Sequence, residues 1–189
     1  LLLVMEAIDS GKISLDDQVT ASAHAASMGG SDIWLKEGET MSVNDLIKAT
    51  VIMSANDAAV VLAEHVYGTE DEFVKQMNIR AKQLGMNDTT FKNCNGLDED
   101  GHLTTAHDVA LMSAELIKHE KIFDYTLTWM DYVRDGETQL VNTNKLIRSY
   151  KGITGLKTGT TSQAGSCISA TAKRDNLSLV AVGLGCSTT

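Results

Sequence analysis

The chain has 189 residues, of which 43% are hydrophobic and 22% are charged, and its formal net charge is −9 at pH 7. This composition is typical of one soluble globular domain, and the negative charge argues against nucleic acid or an anionic membrane as the main partner. No apolar run is long enough to predict a transmembrane helix. The chain opens inside an apolar run at Leu1 with no capping residue before it, so we expect the native helix to begin earlier.

Helix signals fill the first two thirds of the chain. Residues 1–10 are apolar on nearly all sides, which predicts a buried helix that ends at Gly11. Capping boxes predict further helix starts, and glycines predict helix ends. The predicted starts are Ser42, Thr69, Thr105 and the pair Asn56-Asp57, and the predicted ends are Gly68 and Gly85.

Strand signals cluster later in the chain. Residues 129–133 and 138–141 flank one predicted hairpin turn, and residues 166–173 and 177–184 flank a second. Both faces of the last strand are apolar, so we expect it to be covered on both sides, as buried strands are. The predicted fold class is therefore α+β, with an antiparallel sheet that carries helices on both faces.

The segment from Gly155 to Thr161 contains the most specific candidate motif, Lys157-Thr158-Gly159. Lys157 can hold a substrate carboxylate as a point charge, and the Thr158 hydroxyl can add a hydrogen bond. Gly159 lets a ligand approach the backbone of a strand closely. The same tripeptide also fits an edge strand with a solvated lysine.

A second candidate motif is Ser54-Ala55-Asn56, which lies between two predicted helices. A serine hydroxyl there can relay a proton, and the Asn56 side chain can both donate to and accept from a peptide. The alternative is an ordinary N-cap, because serine and asparagine favour that position.

Together the two motifs match, in order, the second and third parts of the Ser-x-x-Lys, Ser-x-Asn, Lys-Thr-Gly set. Longer stretches across essentially the whole chain resemble the low-molecular-weight penicillin-binding proteins of the D-alanyl-D-alanine carboxypeptidase family. The stretches that carry the resemblance are Leu3–Ile13, Ile52–Ala63, Gly96–Met112, Asn142–Leu146 and Gly155–Asp175.

The resemblance implies a fold like that of β-lactamases and penicillin-binding proteins. Residues 1–189 are then a partial transpeptidase-like catalytic domain, with a helical lobe at about 14–125 and a sheet region mainly at 126–189, on which helix 1–10 packs. We expect this domain to be truncated at both ends. Family members continue into a last helix, and usually into a second β-rich domain and a membrane-binding tail.

The nucleophile motif is the main departure from the family pattern. No serine in the chain has a lysine three residues on, and the two Thr-x-x-Lys matches, at Thr89 and Thr154, do not open a buried helix. In the family, Ser-x-x-Lys opens the buried helix whose later part resembles residues 1–10. We therefore expect the nucleophile and its lysine base to precede Leu1, and the 189-residue chain alone to be inactive.

The resemblance implies removal of the terminal D-alanine from peptidoglycan stem peptides that end in D-Ala-D-Ala, through an acyl-enzyme that β-lactams also form. Ser54, Asn56 and Lys157 are the expected catalytic residues, and Thr158, Gly159 and Thr160 the expected substrate-binding residues. The Thr160 amide is an expected oxyanion donor, although many relatives have histidine or phenylalanine at that position. The resemblance also implies an extracytoplasmic, cell-wall role, no nucleic-acid partner, and membrane contact only through a segment outside this chain.

Two alternatives remain open from the sequence. One is a β-lactamase or esterase of the same superfamily, although no loop supplies the glutamate that class A β-lactamases use for deacylation. The other is a non-catalytic binding module that keeps the fold without the nucleophile. Neither a metal nor an organic cofactor is expected: His102 and His107 are five residues apart, and Asp98–Gly101 lacks the glutamate of a calcium loop.

Overall fold

The computed structural model describes residues 1–187, and its elements follow the predicted order of helices first and hairpins last, except for a short strand pair at 18–20 and 40–42 that was not predicted. The helices are α1 Leu2–Asp9, α2 Ala23–Ala26, α3 Val43–Lys48, α4 Asn56–Tyr67, α5 Glu70–Gln83, α6 Ala106–Leu116, α7 Phe123–Thr126 and α8 Leu146–Ser149. A π-helix, Ala49–Met53, follows α3, and a short 3₁₀ helix, Glu120–Ile122, precedes α7. The strands are β1 Gln18–Thr20, β2 Thr40–Ser42, β3 Met130–Val133, β4 Thr138–Val141, β5 Ile153–Thr161, β6 Gly165–Arg174 and β7 Leu177–Cys186.

The three helix starts predicted from capping boxes are confirmed, and each has a capping hydroxyl. The hydroxyls of Ser42, Thr69 and Thr105 each accept a hydrogen bond from the backbone N–H three residues on, at 3.1–3.2 Å. Each bond satisfies one of the free amides in the first turn of α3, α5 or α6. The helix ends at Gly68 and Gly85 are also confirmed, since both glycines have positive φ at or just after the last turn.

The strands form three separate antiparallel sheets among residues 1–187. β1 pairs with β2, β3 pairs with β4, and the largest sheet has the order β5-β6-β7. α6 packs against β6 and β7, while α7 and α8 pack against β5. This mixture of helices and antiparallel sheets confirms the predicted α+β class.

The hydrophobic core lies mainly between the helices. α4 contributes a run of buried residues, including Val60, Val61 and Leu62, and it packs against α1, α3 and α5. α1 contacts α4 and α6 and buries Leu2 to Met5 there. The division into a helical lobe at 14–125 and a sheet region at 126–189, with helix 1–10 on the sheet, stays a prediction.

The expectation that β7 is covered on both sides is wrong. Leu177 is 59% exposed and Leu179 is 58% exposed. β7 is the edge strand of its sheet, α6 packs against it, and Val180 and Val182, on the face opposite Leu177 and Leu179, are half-buried. Within residues 1–187, one face of β7 is therefore exposed although both faces are apolar. No helix among residues 1–187 has the length and hydrophobicity to cross a membrane.

Candidate active site

Lys157 and Ser54 meet although they are 103 residues apart in sequence. The Lys157 Nζ donates a hydrogen bond to Ser54 Oγ at 2.7 Å and another to the Thr158 carbonyl oxygen at 2.8 Å. Lys157 lies on β5 and Ser54 follows the π-helix. The contact therefore joins the three-stranded sheet to the helical part of the molecule.

The local backbone places Ser54 at this point. The π-helix ends at Ser54, which adopts the left-handed conformation with φ +64° and ψ +36°, and its N–H donates to the Ala49 carbonyl. The Ile52 carbonyl accepts a hydrogen bond at 3.1 Å from the N–H of Thr143, which follows β4. π turns and left-handed non-glycine residues are both enriched at functional sites.

Asn56 is the first residue of α4 and is only 8% exposed. Its Nδ2 donates to the Gly29 carbonyl at 2.8 Å, and its backbone N–H donates to the Ser31 carbonyl at 2.7 Å. No residue among 1–187 donates a hydrogen bond to the Asn56 Oδ1. This fixed amide can therefore offer an acceptor to a substrate N–H group.

The Lys157 ammonium forms no ion pair with an acidic side chain among residues 1–187. Some of its surface opens on the cavity, yet burial of the amine lowers the pKa of Lys157 to about 8. Desolvation disfavours the charged form of a lysine, and an incoming anion would restore it. Chemically, this group is suited to bind a carboxylate.

A cavity of about 360 Å³ brings most of the predicted site residues together. Ser54, Asn56, Lys157, Thr158 and Gly159 all line it. The Thr158 hydroxyl is 2.7 Å from that of Thr143, and the space beside Gly159 is open. Thr160 is not part of the lining; it is exposed on β5, next to Gly159.

The cavity also has walls that the motif analysis missed. The first residue of the chain, Leu1, lies at the cavity together with Ser54 and Lys157. Asn93, Asn95 and Gly96 form another part of the wall, and Cys167, across from Gly159 on β6, forms a third. Residues 93–96 carry no catalytic motif, so only the tertiary structure shows where they lie. Residues 1–187 hold no group of three or more potential metal ligands.

Residues 1–188 match the sequence model of a peptidase family described as D-alanyl-D-alanine carboxypeptidase. The chain belongs to this family. Among its relatives, the carboxypeptidase DacF of Bacillus subtilis is 50% identical over the whole chain, which covers 49% of DacF. DacC of Escherichia coli is 37% identical over 98% of the chain, which covers 48% of DacC. The chain thus spans about half the length of these relatives.

Solved structures of family members have the same fold. Penicillin-binding protein D2 of Listeria monocytogenes, in its ampicillin-bound form, is 35% identical with a TM-score of 0.87, over the whole of this chain and 76% of that one. Penicillin-binding protein 5 of Haemophilus influenzae is 30% identical with a TM-score of 0.89, over 97% of this chain and 56% of that one. The predicted fold, like that of β-lactamases and penicillin-binding proteins, is confirmed.

Proposed function

We propose that this chain supplies most of the active site of a serine D-alanyl-D-alanine carboxypeptidase, which removes the terminal D-alanine from peptidoglycan stem peptides. The observation that carries the proposal is the 2.7 Å hydrogen bond between Lys157 and Ser54, in a cavity that Asn56, Thr158 and Gly159 also line. Two parts of the family's motif pattern, Ser54-Ala55-Asn56 and Lys157-Thr158-Gly159, are far apart in sequence but meet in one place. The family match over residues 1–188 supports the same activity.

The nucleophile in this proposal is a serine of a Ser-x-x-Lys motif that precedes Leu1. Two observations support this position. No serine of the 189 residues has a lysine three positions on. Leu1 lines the same cavity as Ser54 and Lys157, so residues attached to it would enter the site directly.

The reaction begins when the serine oxygen attacks the carbonyl carbon between the two D-alanines and its proton passes to the motif lysine. The negative oxygen that forms is held by backbone N–H groups, one of them that of Thr160. Ser54 passes a proton to the nitrogen of the departing D-alanine and takes one in return from the motif lysine, and the carbon–nitrogen bond breaks. Water then hydrolyses the acyl-enzyme.

Substrate binding uses the groups around the cavity. The free C-terminal carboxylate of the stem peptide pairs with the Lys157 ammonium and accepts a hydrogen bond from the Thr158 hydroxyl. The Asn56 side chain orients the peptide, and Gly159 leaves room for it to lie along β5. A β-lactam acylates the same serine because its strained amide occupies the position of the D-Ala-D-Ala bond.

The same proposal assigns the protein to the cell wall, outside the cytoplasm, with a role in cell shape. Its substrate is found there, and its relatives are D-alanyl-D-alanine carboxypeptidases. Any membrane attachment would be made by a segment outside these 189 residues.

Labelling by a fluorescent penicillin tests the function. The full-length protein should form a covalent adduct and release D-alanine from a pentapeptide that ends in D-Ala-D-Ala, whereas the 189-residue chain should do neither. In the full-length protein, Lys157→Ala should slow labelling about a hundredfold, by loss of a charge-assisted contact worth roughly 3 kcal/mol. Lys151→Ala removes an exposed lysine just before β5 and is the matched control.

Two results would contradict the proposal. Adduct formation by the 189-residue chain alone would place the nucleophile inside it. Fast turnover of nitrocefin by the full-length protein, without D-alanine release, would indicate a β-lactamase instead.

A further inference from the structure

Residues 93–101, which we call the acidic loop, connect two walls of the cavity. Asn93 organises the loop: its Oδ1 accepts the Gly96 N–H at 2.8 Å, and its Nδ2 donates to the Leu97 carbonyl at 3.0 Å. These bonds hold residues 93–96 at the cavity wall. The loop then turns outward through Asp98, Glu99 and Asp100.

One side of the acidic loop is attached to the helical part of the molecule. The Cys94 N–H donates to the Glu70 carboxylate at 3.0 Å, and the Asn95 Nδ2 lies 3.6 Å from the Met28 sulfur. Leu97 lies beside Gly30, since its Cδ2 would be 3.7 Å from a β carbon at that position. The loop therefore contacts the same 28–31 segment that holds Asn56.

The other side of the loop reaches the turn between β5 and β6 through Asp98. Its Oδ2 accepts hydrogen bonds from Ser162 Oγ at 3.0 Å and from the Gln163 N–H at 3.2 Å. Hydrogen bonds from Thr161, then Ser162 and Gln163, hold the pKa of Asp98 below its ordinary value. Within residues 1–187, no other side chain from outside the turn makes a hydrogen bond to Ser162 or Gln163.

We propose that Asp98 is a positioning residue, which fixes the end of β5, from Gly159 to Thr161, relative to Asn56 on the opposite wall. This inference rests on the proposed function, in which that strand end holds the substrate and supplies an oxyanion donor. Ser162 directly follows β5. Small movements at this turn are thus passed along the strand to the Thr160 amide.

Positioning matters here because oxyanion stabilisation depends on donors that are already in place before the reaction. A displacement of about 1 Å in such a group can slow a reaction by up to about a hundredfold. Without Asp98, the turn keeps its own bond, from the Ala164 N–H to Thr161 Oγ1 at 2.9 Å. We therefore expect β5 to stay formed in an Asp98 variant while its end becomes more mobile.

The test compares two substitutions on the same loop of the full-length protein. Asp98→Ala should slow acylation by a fluorescent penicillin about tenfold. Asp98→Asn keeps one acceptor oxygen, so its acylation rate should lie between those of Asp98→Ala and the natural protein. Asp100→Asn removes a charge from the loop but no hydrogen bond to the turn. Its acylation rate should therefore stay within about twofold of that of the natural protein.

Two further measurements separate positioning from a general loss of structure. Amide hydrogen exchange in residues 159–164 should become faster in Asp98→Ala and not in Asp100→Asn, with the melting temperature of both variants unchanged. The effects of Asp98→Ala and Ser162→Ala on acylation should be less than additive, because both remove the same contact.

Equal acylation rates and equal exchange in Asp98→Ala and Asp100→Asn would overturn the inference. If the natural full-length protein forms no penicillin adduct, the proposed function fails instead. Hydrogen exchange in residues 159–164 then decides by itself whether Asp98 holds the turn, and equal exchange in the two variants would overturn that role as well.

Discussion

Gly30 lies so close to Asn56 that a β carbon at position 30 would be 2.9 Å from the Asn56 Nδ2. Gly30 also has φ +86°, a conformation that glycine adopts without strain. The Asn56 amide nitrogen is held by the neighbouring Gly29 carbonyl. The geometry of Asn56 therefore depends on the absence of a side chain in the opposing loop.

Gly30→Ala is expected to weaken both folding and acylation. The added methyl group must push the Asn56 side chain aside, and the backbone of residue 30 must keep a positive φ that is unfavourable for alanine. Together these should lower the free energy of unfolding by about 1–3 kcal/mol. Urea denaturation measures the stability, and fluorescent penicillin measures acylation in the full-length protein. Gly29→Ala is the matched control, since a β carbon at position 29 would have no atom within 4 Å other than those of its chain neighbours. Equal behaviour of the two variants would contradict the assigned role of Gly30.

Substitutions of Ser54 should separate stability from activity. Both Ser54→Ala and Ser54→Gly remove the hydroxyl that contacts Lys157, so both should slow acylation about a hundredfold. Glycine relieves the left-handed conformation of residue 54, whereas alanine keeps the strain. Ser54→Gly should therefore be more stable than Ser54→Ala by about 1 kcal/mol. Thermal unfolding checks the difference, and a less stable glycine variant would show that Ser54 is not strained.

The pH dependence of acylation should follow Lys157. Lys157 has a pKa of about 8. One pH unit above that value, only roughly a tenth of the Lys157 side chains are still protonated. If the charged form binds the carboxylate, acylation should fall about tenfold between pH 7 and pH 9. Arginine differs from lysine in shape, so the Lys157→Arg variant should be acylated more slowly than the natural protein at pH 7. Arginine also stays charged throughout this range, so the acylation rate of the variant should show no fall centred near pH 8.

The contribution of Lys157 to stability should rise with pH between about pH 8 and pH 10.5, whereas acylation falls as the pH rises. The pKa of Lys157 is lowered from its ordinary value of 10.5 to about 8. Between these values the unfolded chain binds more protons than the folded one, so the contribution of Lys157 to the free energy of unfolding rises with pH. Comparison with Lys157→Met by urea denaturation at pH 7 and pH 10 isolates this contribution. A difference that is independent of pH would contradict the lowered pKa.

Asp57 is a buried carboxylate whose loss should destabilise the loop beside the site. It is 2% exposed and accepts hydrogen bonds from the backbone N–H groups of Ile33, Leu35 and Ala58. Asp57→Ala leaves these donors without a partner and should lower the free energy of unfolding by about 3 kcal/mol. Urea denaturation measures the loss, with the exposed Glu37→Ala as control. A loss below about 1 kcal/mol would show that water replaces the carboxylate.

Local signals in the sequence predicted much of the fold. The capping hydroxyls of Ser42, Thr69 and Thr105 act on amides three residues away, so a short window of sequence contains the whole interaction. The π-helix was missed because its apolar residues fit an α-helical pattern equally well. The β1–β2 sheet was missed because each strand has only three residues, too few to show alternation.

The candidate site was predictable where it follows family motifs and not where it depends on tertiary contacts. Ser54, Asn56 and Lys157 were identified from their spacing within known motifs, and the structure brings them to one cavity. Their catalytic roles stay predictions. The bridge from Asp98 to Ser162 joins residues 64 positions apart and has no local pattern. The exposure of β7 likewise depends on which elements surround it.

The π-helix makes the position of Ser54 a matter of residue count. Five residues, Ala49–Met53, form a turn that an α-helix would complete with one fewer. Deleting one of them would let the helix continue in α form and rotate all following side chains by about 100° around the axis. The serine would then point away from the lysine without any change in the chemistry of either residue.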